Sequence, residues 1–190
     1  VFISNWIMDY HTKNDWKCPR NHVVYSGTNT DHFCSREKIN NGKINLVTHH
    51  WSDNPLKGQD IYQMLDSWLG VNNEYTFTYI GRTKAAFRNT TLIPPTFGLD
   101  LGEKLSKYDV YISASRHDPG PNHIIESLAC EMPTYALNTS GGAVEMVGPD
   151  HVYSSFDDLI SILKRQQFEK NRGIKPTNWE DCIDQYFKYV

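Results

Sequence analysis

Hydrophobic positions in this chain switch repeatedly between short unbroken runs and a three-to-four-residue beat. Ile44 to Thr48 is a compact apolar run, and after a polar loop Ile61, Met64, Leu65, Trp68 and Leu69 recur at the spacing of one buried helical face. Tyr75 to Ile80 repeats the strand pattern with Gly81-Arg82 closing it, and Thr91 to Ile93 is a further short strand stopped by Pro94-Pro95. Leu101, Leu105 and Tyr108 then predict a helix, Asp109 to Ser113 a strand, Asn122 to Glu131 a helix and Thr134 to Leu137 a strand. Ala143 to Val147 reads as a short helix after the turn Ser140-Gly141-Gly142, and His151 to Tyr153 as a last edge strand. Beyond Ser155, Phe156, Leu159, Ile160 and Leu163 fall together, and Trp179, Cys182, Ile183, Tyr186 and Phe187 make a terminal amphipathic helix.

Ahead of this alternation the rhythm is weaker. The chain opens at Val1, without a Met, into a predicted helix whose Ile3, Trp6, Ile7 and Tyr10 share a face. So abrupt a start is expected of a processed or excised piece of a longer protein. His22 to Tyr25 is β-rich, Ser26-Gly27-Thr28-Asn29 supplies turn chemistry, and the aperiodic stretch to Gly42 reads as a linker with its boundary at Asn40-Asn41-Gly42. Three parts are therefore expected: residues 1–42 as leading segment and linker, 43–177 as an α/β domain, and 178–190 as a closing helix.

Strands alternating with helices imply right-handed βαβ units: an α/β fold, doubly wound and Rossmann-like, with a mostly parallel sheet and helices on both faces. Ligands bind such sheets outside the carboxyl ends of the strands, so chemistry is sought in the loops that follow each strand.

Composition narrows the class of ligand. With 39% hydrophobic and 13% aromatic residues among 190, a packed core is within reach and disorder is not expected. A net charge of −3 offers no basic field for a nucleic-acid backbone. No apolar run approaches the roughly 18 to 20 residues of a membrane span, and no basic n-region precedes one, so the expected location is cytoplasmic. Cys18, Cys34, Cys130 and Cys182 form no C-x-x-C pair and are expected as reduced thiols, and the eight His show no metal-holding spacing. Asn89-Thr90-Thr91 and Asn138-Thr139-Ser140 match a glycosylation triplet too common to carry weight.

The strand-end loops are polar and glycine-bearing: Thr48-His49-His50-Trp51 through Lys57-Gly58, Gly81-Arg82, Pro94-Pro95, Ser115 to Asn122, and Asn138 to Gly142. In a parallel sheet they converge on one rim as a cleft for a phosphorylated ligand. Asn122 is a good N-cap residue, and Asp118-Pro119-Gly120-Pro121 ahead of it has little helical tendency, so a helix N-terminus with unpaired N–H groups is expected to face the cleft. Gly120, Gly141 and Gly142 allow close backbone approach to an anion. Taken alone, these loops are also what any α/β domain carries at its strand ends.

The run Ser113-Ala-Ser-Arg-His-Asp-Pro-Gly-Pro-Asn-His-Ile-Ile-Glu-Ser-Leu-Ala-Cys-Glu-Met-Pro-Thr-Tyr-Ala-Leu137 is more specific. It resembles the signature of family-4 type retaining glycosyltransferases of GT-B fold, with Asp118 and Glu126 at the two acidic positions of E-x(7)-E. Asn138-Thr-Ser-Gly-Gly-Ala-Val-Glu145 resembles that family's Gly-Gly-x-x-Glu loop, Leu56-Lys57-Gly58 its Lys-Gly pair, and Val23 to Phe33 its interdomain passage. The resemblance makes residues 43–177 the C-terminal, donor-binding domain, residues 1–42 the tail of an N-terminal domain plus linker, and the last helix one that packs back toward that domain.

The resemblance also implies roles. Lys57 goes to the donor diphosphate with the backbone N–H groups of Gly120, Asn122 and His123, Pro121 having none to give. Asp118 goes to hydroxyls of the donor sugar, Glu126 to the ribose diol, and Ser140, Gly141 and Gly142 to the phosphate or sugar side. Family members carry Arg after the first strand. Here His49 and His50 stand instead, so an imidazole or Arg82 must substitute, and Asp118 is one methylene shorter than the family's Glu. The implied activity is transfer of a sugar from a nucleotide diphosphate sugar to an acceptor hydroxyl with retention, with no tightly bound cofactor or metal and with acceptor groups on a missing N-terminal domain. Two alternatives stay open: a non-catalytic nucleotide-sugar-binding module or subunit needing a partner, and a nucleotide-sugar epimerase of similar fold.

Overall fold

The computed structural model describes residues 1–14 and 21–189; Cys18 lies outside them. Six strands, β1 (Ile44–His50), β2 (Tyr75–Gly81), β3 (Thr91–Ile93), β4 (Val110–Ser113), β5 (Thr134–Leu137) and β6 (Val152–Tyr153), form one sheet in the order β3-β2-β1-β4-β5-β6. Every pairing is parallel, with Ile44 opposite Tyr75 and Leu46 opposite Val110 on the two edges of β1. The chain is thus an α/β, Rossmann-like domain, as the alternating pattern predicts.

Parallel neighbours need crossovers, and these run through helices α2 (Gln59–Leu69), α3 (Gly98–Leu105), α4 (Asn122–Ala129) and α5 (Gly142–Val147), with the loop 82–90 joining β2 to β3 and helix α6 (Phe156–Arg165) following the last strand. The helices cover both faces, which is why β1 and β4 are buried without alternation. Leu46 faces a core with Tyr62, Leu65, Phe77, Ile112, Tyr153 and Leu159, whereas Val47 faces one with Leu105, Tyr111, Ile124, Ile125 and Met146. Helix α6 has its limits written locally: the Ser155 side chain accepts from the Asp158 N–H, acids open it, Lys164 and Arg165 end it, and Gln166 turns left-handed.

Some boundaries move for local reasons. The helix predicted to run from Asn122 to Glu131 ends at Ala129, because Glu131 sits at φ 55° and breaks the helical course. The helix predicted through Tyr108 ends at Leu105, and Tyr108 packs beyond it in the second core. His151 belongs to a 3-10 turn ahead of β6.

The leading segment folds onto the domain. Phe2 pairs with Val23 in a parallel bridge, and α1 (Asn5–Lys13) begins after Ser4, whose hydroxyl accepts from the Ile7 N–H. Ile3 therefore precedes the helix, and no residue of α1 is fully buried. Glu145 of α5 holds the start of α1, accepting from Asn5 Nδ2 (2.7 Å), the Trp6 N–H (3.2 Å) and the Tyr25 hydroxyl (3.0 Å). Burial and this carboxylate push the Tyr25 hydroxyl up to about 12. Farther along, Phe33 enters the second core, and Gly102 is needed on α3 because a Cβ there would overlap the His32 carbonyl oxygen.

Helix α7 (Trp179–Phe187) closes the chain beside this segment, with Thr28 N–H donating to the Thr177 carbonyl and Cys182 buried against Tyr25. Its Trp179, Ile183, Tyr186 and Phe187 stay exposed and line an apolar groove with Ile3. Cys34, Cys130 and Cys182 are free thiols. Among the described residues no helix is long and apolar enough to cross a membrane.

One buried anion ties the sheet edge together. Asp66 of α2 accepts from the N–H groups of Arg88 and Asn89 and from the Thr90 hydroxyl (2.7 Å), shaping the loop that enters β3. Burial pushes its carboxyl up, but these donors outweigh burial and hold it below the ordinary value. A lowered carboxyl contributes stability above its unfolded value of about 3.9, and that contribution is lost as pH falls through the folded value. Asp66→Ala should therefore cost about 2–4 kcal/mol at neutral pH, read as a lower urea midpoint. The gap from wild type should narrow below about pH 4; an unchanged gap there would exclude the carboxylate as its source.

Candidate functional site

The strand order reverses beside β1: β1 leads through α2 to β2 on one side, while β4 leads through α4 to β5 on the other. Their carboxyl ends part, and a cavity of about 560 Å³ opens between them. It is lined by His49, His50 and Trp51 at the end of β1, by Lys57, by Gly81, by Pro95, Thr96 and Phe97 before α3, and by Asp118, Gly120 through His123, and Glu126 around the start of α4.

The β1–α2 corner is built tightly. Alternation along the strand sends Thr48 and His50 to one face and His49 to the other. The buried Tyr62 hydroxyl lies 3.0 Å from Thr48 Oγ1 and 2.8 Å from His50 Nε2, and accepts from the Ala114 N–H at 2.9 Å, joining β1, α2 and β4. Gly58, at φ 77°, lets the chain turn over the end of β4, where a Cβ would overlap the Ala114 carbonyl oxygen. Lys57 immediately precedes that turn, so its direction is set by the crossing.

The β4–α4 loop is equally constrained. His117 is left-handed (φ 53°), its N–H donates to the Thr139 carbonyl, the Asp118 N–H donates to the Ser140 carbonyl, and the Gly142 N–H returns to the Asp118 carbonyl at 2.9 Å. Gly120 lies beneath Ile3, whose terminal methyl group would have to move aside for a Cβ. Helix α4 then starts with Asn122 as its first helical residue, and Pro121, not Asn122, takes the cap position with no side chain capping it. Proline's fixed φ suits that place, and the N–H groups of Asn122 and His123 donate to no described residue. An uncapped helix start facing a cavity is a ready place for an anion.

An ion pair and a hydrogen bond span the opening. Lys57 Nζ lies 2.7 Å from Asp118 Oδ2, and His49 Nε2 lies 2.7 Å from Glu126 Oε2. The His49 N–H of the backbone meets the Tyr111 hydroxyl, while the buried Nδ1 atoms of His49 and His50 have no hydrogen-bond partner. His123 places Nε2 2.8 Å from Ser113 Oγ. Burial, then His49 and Lys57, pushes His50 well below the ordinary imidazole value; burial, then His50, Lys57 and His49, does the same to His123.

Of the residues singled out in the sequence, Lys57, His50, Asp118, Gly120, Pro121, Asn122, His123 and Glu126 meet at this cavity. Arg82 stands outside it, stacked with its guanidinium carbon 4.2 Å from the Trp51 ring centre. Ser140 is fully buried and donates to the Ser115 carbonyl, and Gly141 and Gly142 support the Asp118 backbone from behind. Arg116 reaches away from the cavity to a bidentate pair with Asp60 (2.9 and 2.7 Å). Sequence reasoning placed Trp51 only in a strand-end loop, with no role of its own, and missed Thr96, Phe97 and Leu101 as lining. Trp51 and Phe97, in edge contact at 4.5 Å, belong to no periodic segment, and exposed aromatics beside Pro94-Pro95 were the one available signal. Among the described residues no three His, Cys, Asp or Glu are grouped to hold a metal ion.

The lowered His50 and His123 carry a stability consequence with a definite sign. The unfolded imidazoles take up protons near pH 6.5 while the folded ones stay neutral, so stability falls as pH drops below that value. Each ring contributes a slope approaching about 1.4 kcal/mol per pH unit. The urea midpoint should decline from pH 7 to 5, and His123→Gln should flatten the decline. A midpoint level across this range would refute the neutral rings.

No family model matches the chain, and no curated protein is found similar to it. Solved structures do match. Sucrose-phosphate synthase from Thermosynechococcus elongatus superposes with a TM-score of 0.75 at 15% identity, over 98% of this chain and 56% of that one. The pneumococcal O-GlcNAc transferase GtfA, solved with UDP and GlcNAc, gives 0.66 at 13% identity over 97% and 42%. WaaG, a glycosyltransferase involved in lipopolysaccharide biosynthesis, gives 0.64 at 15% over 84% and 50%. The chain spans about half the length of these glycosyltransferases, and its six-stranded parallel sheet has the fold of one domain of the GT-B type.

Proposed function

We propose that this chain is the donor-binding half of a retaining glycosyltransferase of the family-4 type, holding a nucleotide diphosphate sugar for transfer of the sugar to an acceptor hydroxyl. One observation carries the reading: the uncapped start of α4, Lys57 and Glu126 converge on a single cavity at the reversal of the strand order. A diphosphate fits the free N–H groups of Asn122 and His123 with Lys57 beside them. Glu126 keeps Oε1 for a ribose hydroxyl while Oε2 rests on His49. Trp51 and Phe97 offer aromatic faces at the far end, suited to a nucleobase.

In this reading the leaving β-phosphate gathers charge as the glycosidic bond breaks, and the helix start with Lys57 stabilises it more in the transition state than before it. His49 occupies the place after the first strand that the resemblance gives to Arg, and Arg82 acts only at the rim, through Trp51. The acceptor side would come from a second domain, and the exposed apolar face of α7 with Ile3 is the surface on which such a domain would rest.

Calorimetric titration with UDP, GDP and ADP sugars tests the reading. One of the panel should bind at or below millimolar concentration, and Glu126→Ala should weaken it about tenfold or more, as loss of a charge-assisted hydrogen bond does. Silence of the wild-type chain across the panel would overturn the assignment.

A further inference from the structure

We propose that the Lys57–Asp118 ion pair is a selectivity device that favours the sugar-bearing nucleotide over the free nucleoside diphosphate, and so favours release of the spent product. The inference rests on the donor-binding reading of the cavity and concerns which ligand state that cavity prefers.

Lys57 and Asp118 arrive from the two sides of the opening, one from the corner before α2 and one from the loop after β4, and meet at 2.7 Å. Both are largely withdrawn from solvent, with side chains 25% and 15% exposed, so the pair is less screened than a surface bridge. Neither chain segment is loose. Gly58 fixes the turn behind Lys57, and the left-handed His117 with three backbone hydrogen bonds fixes Asp118. Arg116, two residues away, is already committed to Asp60 and does not neutralise Asp118.

Lys57 is therefore not a bare cation awaiting an anion; Asp118 already occupies it. A phosphate reaching Lys57 displaces a carboxylate that the loop keeps nearby, and this carboxylate then needs donors of its own. A nucleotide diphosphate sugar supplies them, because sugar hydroxyls donate to Asp118 and the esterified β-phosphate carries less charge. A free nucleoside diphosphate does the opposite: its terminal oxygen gains charge beside Asp118, and the hydroxyls of the transferred sugar, which would donate there, are absent. With His50 and His123 held neutral, Lys57 is left to offset both Asp118 and Glu126 together with the ligand, apart from the His49 pairing. The ligand state that brings hydroxyls is preferred.

The test compares wild type, Asp118→Asn and Asp118→Ala by calorimetry, using whichever of UDP, GDP or ADP binds, each with its hexose conjugate. Wild type should prefer the conjugate. Asp118→Asn should bind the free diphosphate about tenfold more tightly, as expected for removal of a partly buried like charge, and gain little or lose affinity for the conjugate. Asp118→Ala should tighten the free diphosphate in the same way and lose the conjugate, which covers the case in which the amide variant folds poorly. Equal shifts for both ligands, or a free diphosphate that Asp118 variants bind more weakly, would overturn the proposal while leaving donor binding intact. Absence of any binding to the wild-type chain would instead remove the donor reading, and this proposal with it.

Discussion

Strand β1 is paired along both edges by parallel neighbours, and the rest of the molecule follows from that constraint. A parallel neighbour cannot be reached by a hairpin, so the chain must leave the sheet and cross back each time, by a helix between most strands and by the loop 82–90 between β2 and β3. Because β2 lies on one side of β1 and β4 on the other, the connections part at their carboxyl ends, and the domain keeps an opening where its backbone is otherwise sealed. Tyr62 reinforces this centre with a single hydroxyl that touches Thr48, His50 and Ala114, so the floor of the cavity is also the joint between β1, α2 and β4.

The cavity's charges are answered from across the opening. Lys57 and Asp118 satisfy each other, as do His49 and Glu126, whereas the helix start between them keeps its N–H groups unclaimed. An arriving anion thus finds a fixed set of dipoles and a set of charges that must rearrange. Burial of His50 and His123 as neutral rings removes two possible cations from the site and leaves the backbone dipoles and Lys57 as its positive groups beside His49.

Supporting residues explain why so much of the signature is not lining. Ser140, Gly141 and Gly142 never reach the cavity, yet Asp118 is held in place by the backbone they supply. Glu145, in the same loop and helix, holds the start of α1 and so joins the leading segment to the loops that shape the site. The packing of Ile3 over Gly120 extends that link.

Much of this was legible in the sequence, because strand and helix periods are local properties and glycine and proline mark the corners. The alternation determined the α/β class, the parallel sheet and the rim where the strand-end loops meet, and the segment holding Asp118 and Glu126, singled out in the sequence, lines the cavity there. Helix ends were less legible, since Glu131 turns left-handed and Pro121 takes the cap for reasons of tertiary course rather than composition. Which side chains pair was decided only by the tertiary structure: Lys57 meets Asp118 across 61 positions and His49 meets Glu126 across 77. Arg82 turned to Trp51 and Arg116 to Asp60 because side-chain reach and neighbouring surfaces, not residue type, select a partner. Sequence periodicity fixes the direction in which a residue leaves the backbone; what it meets there depends on loops brought together by the crossovers, whose separation no local pattern encodes.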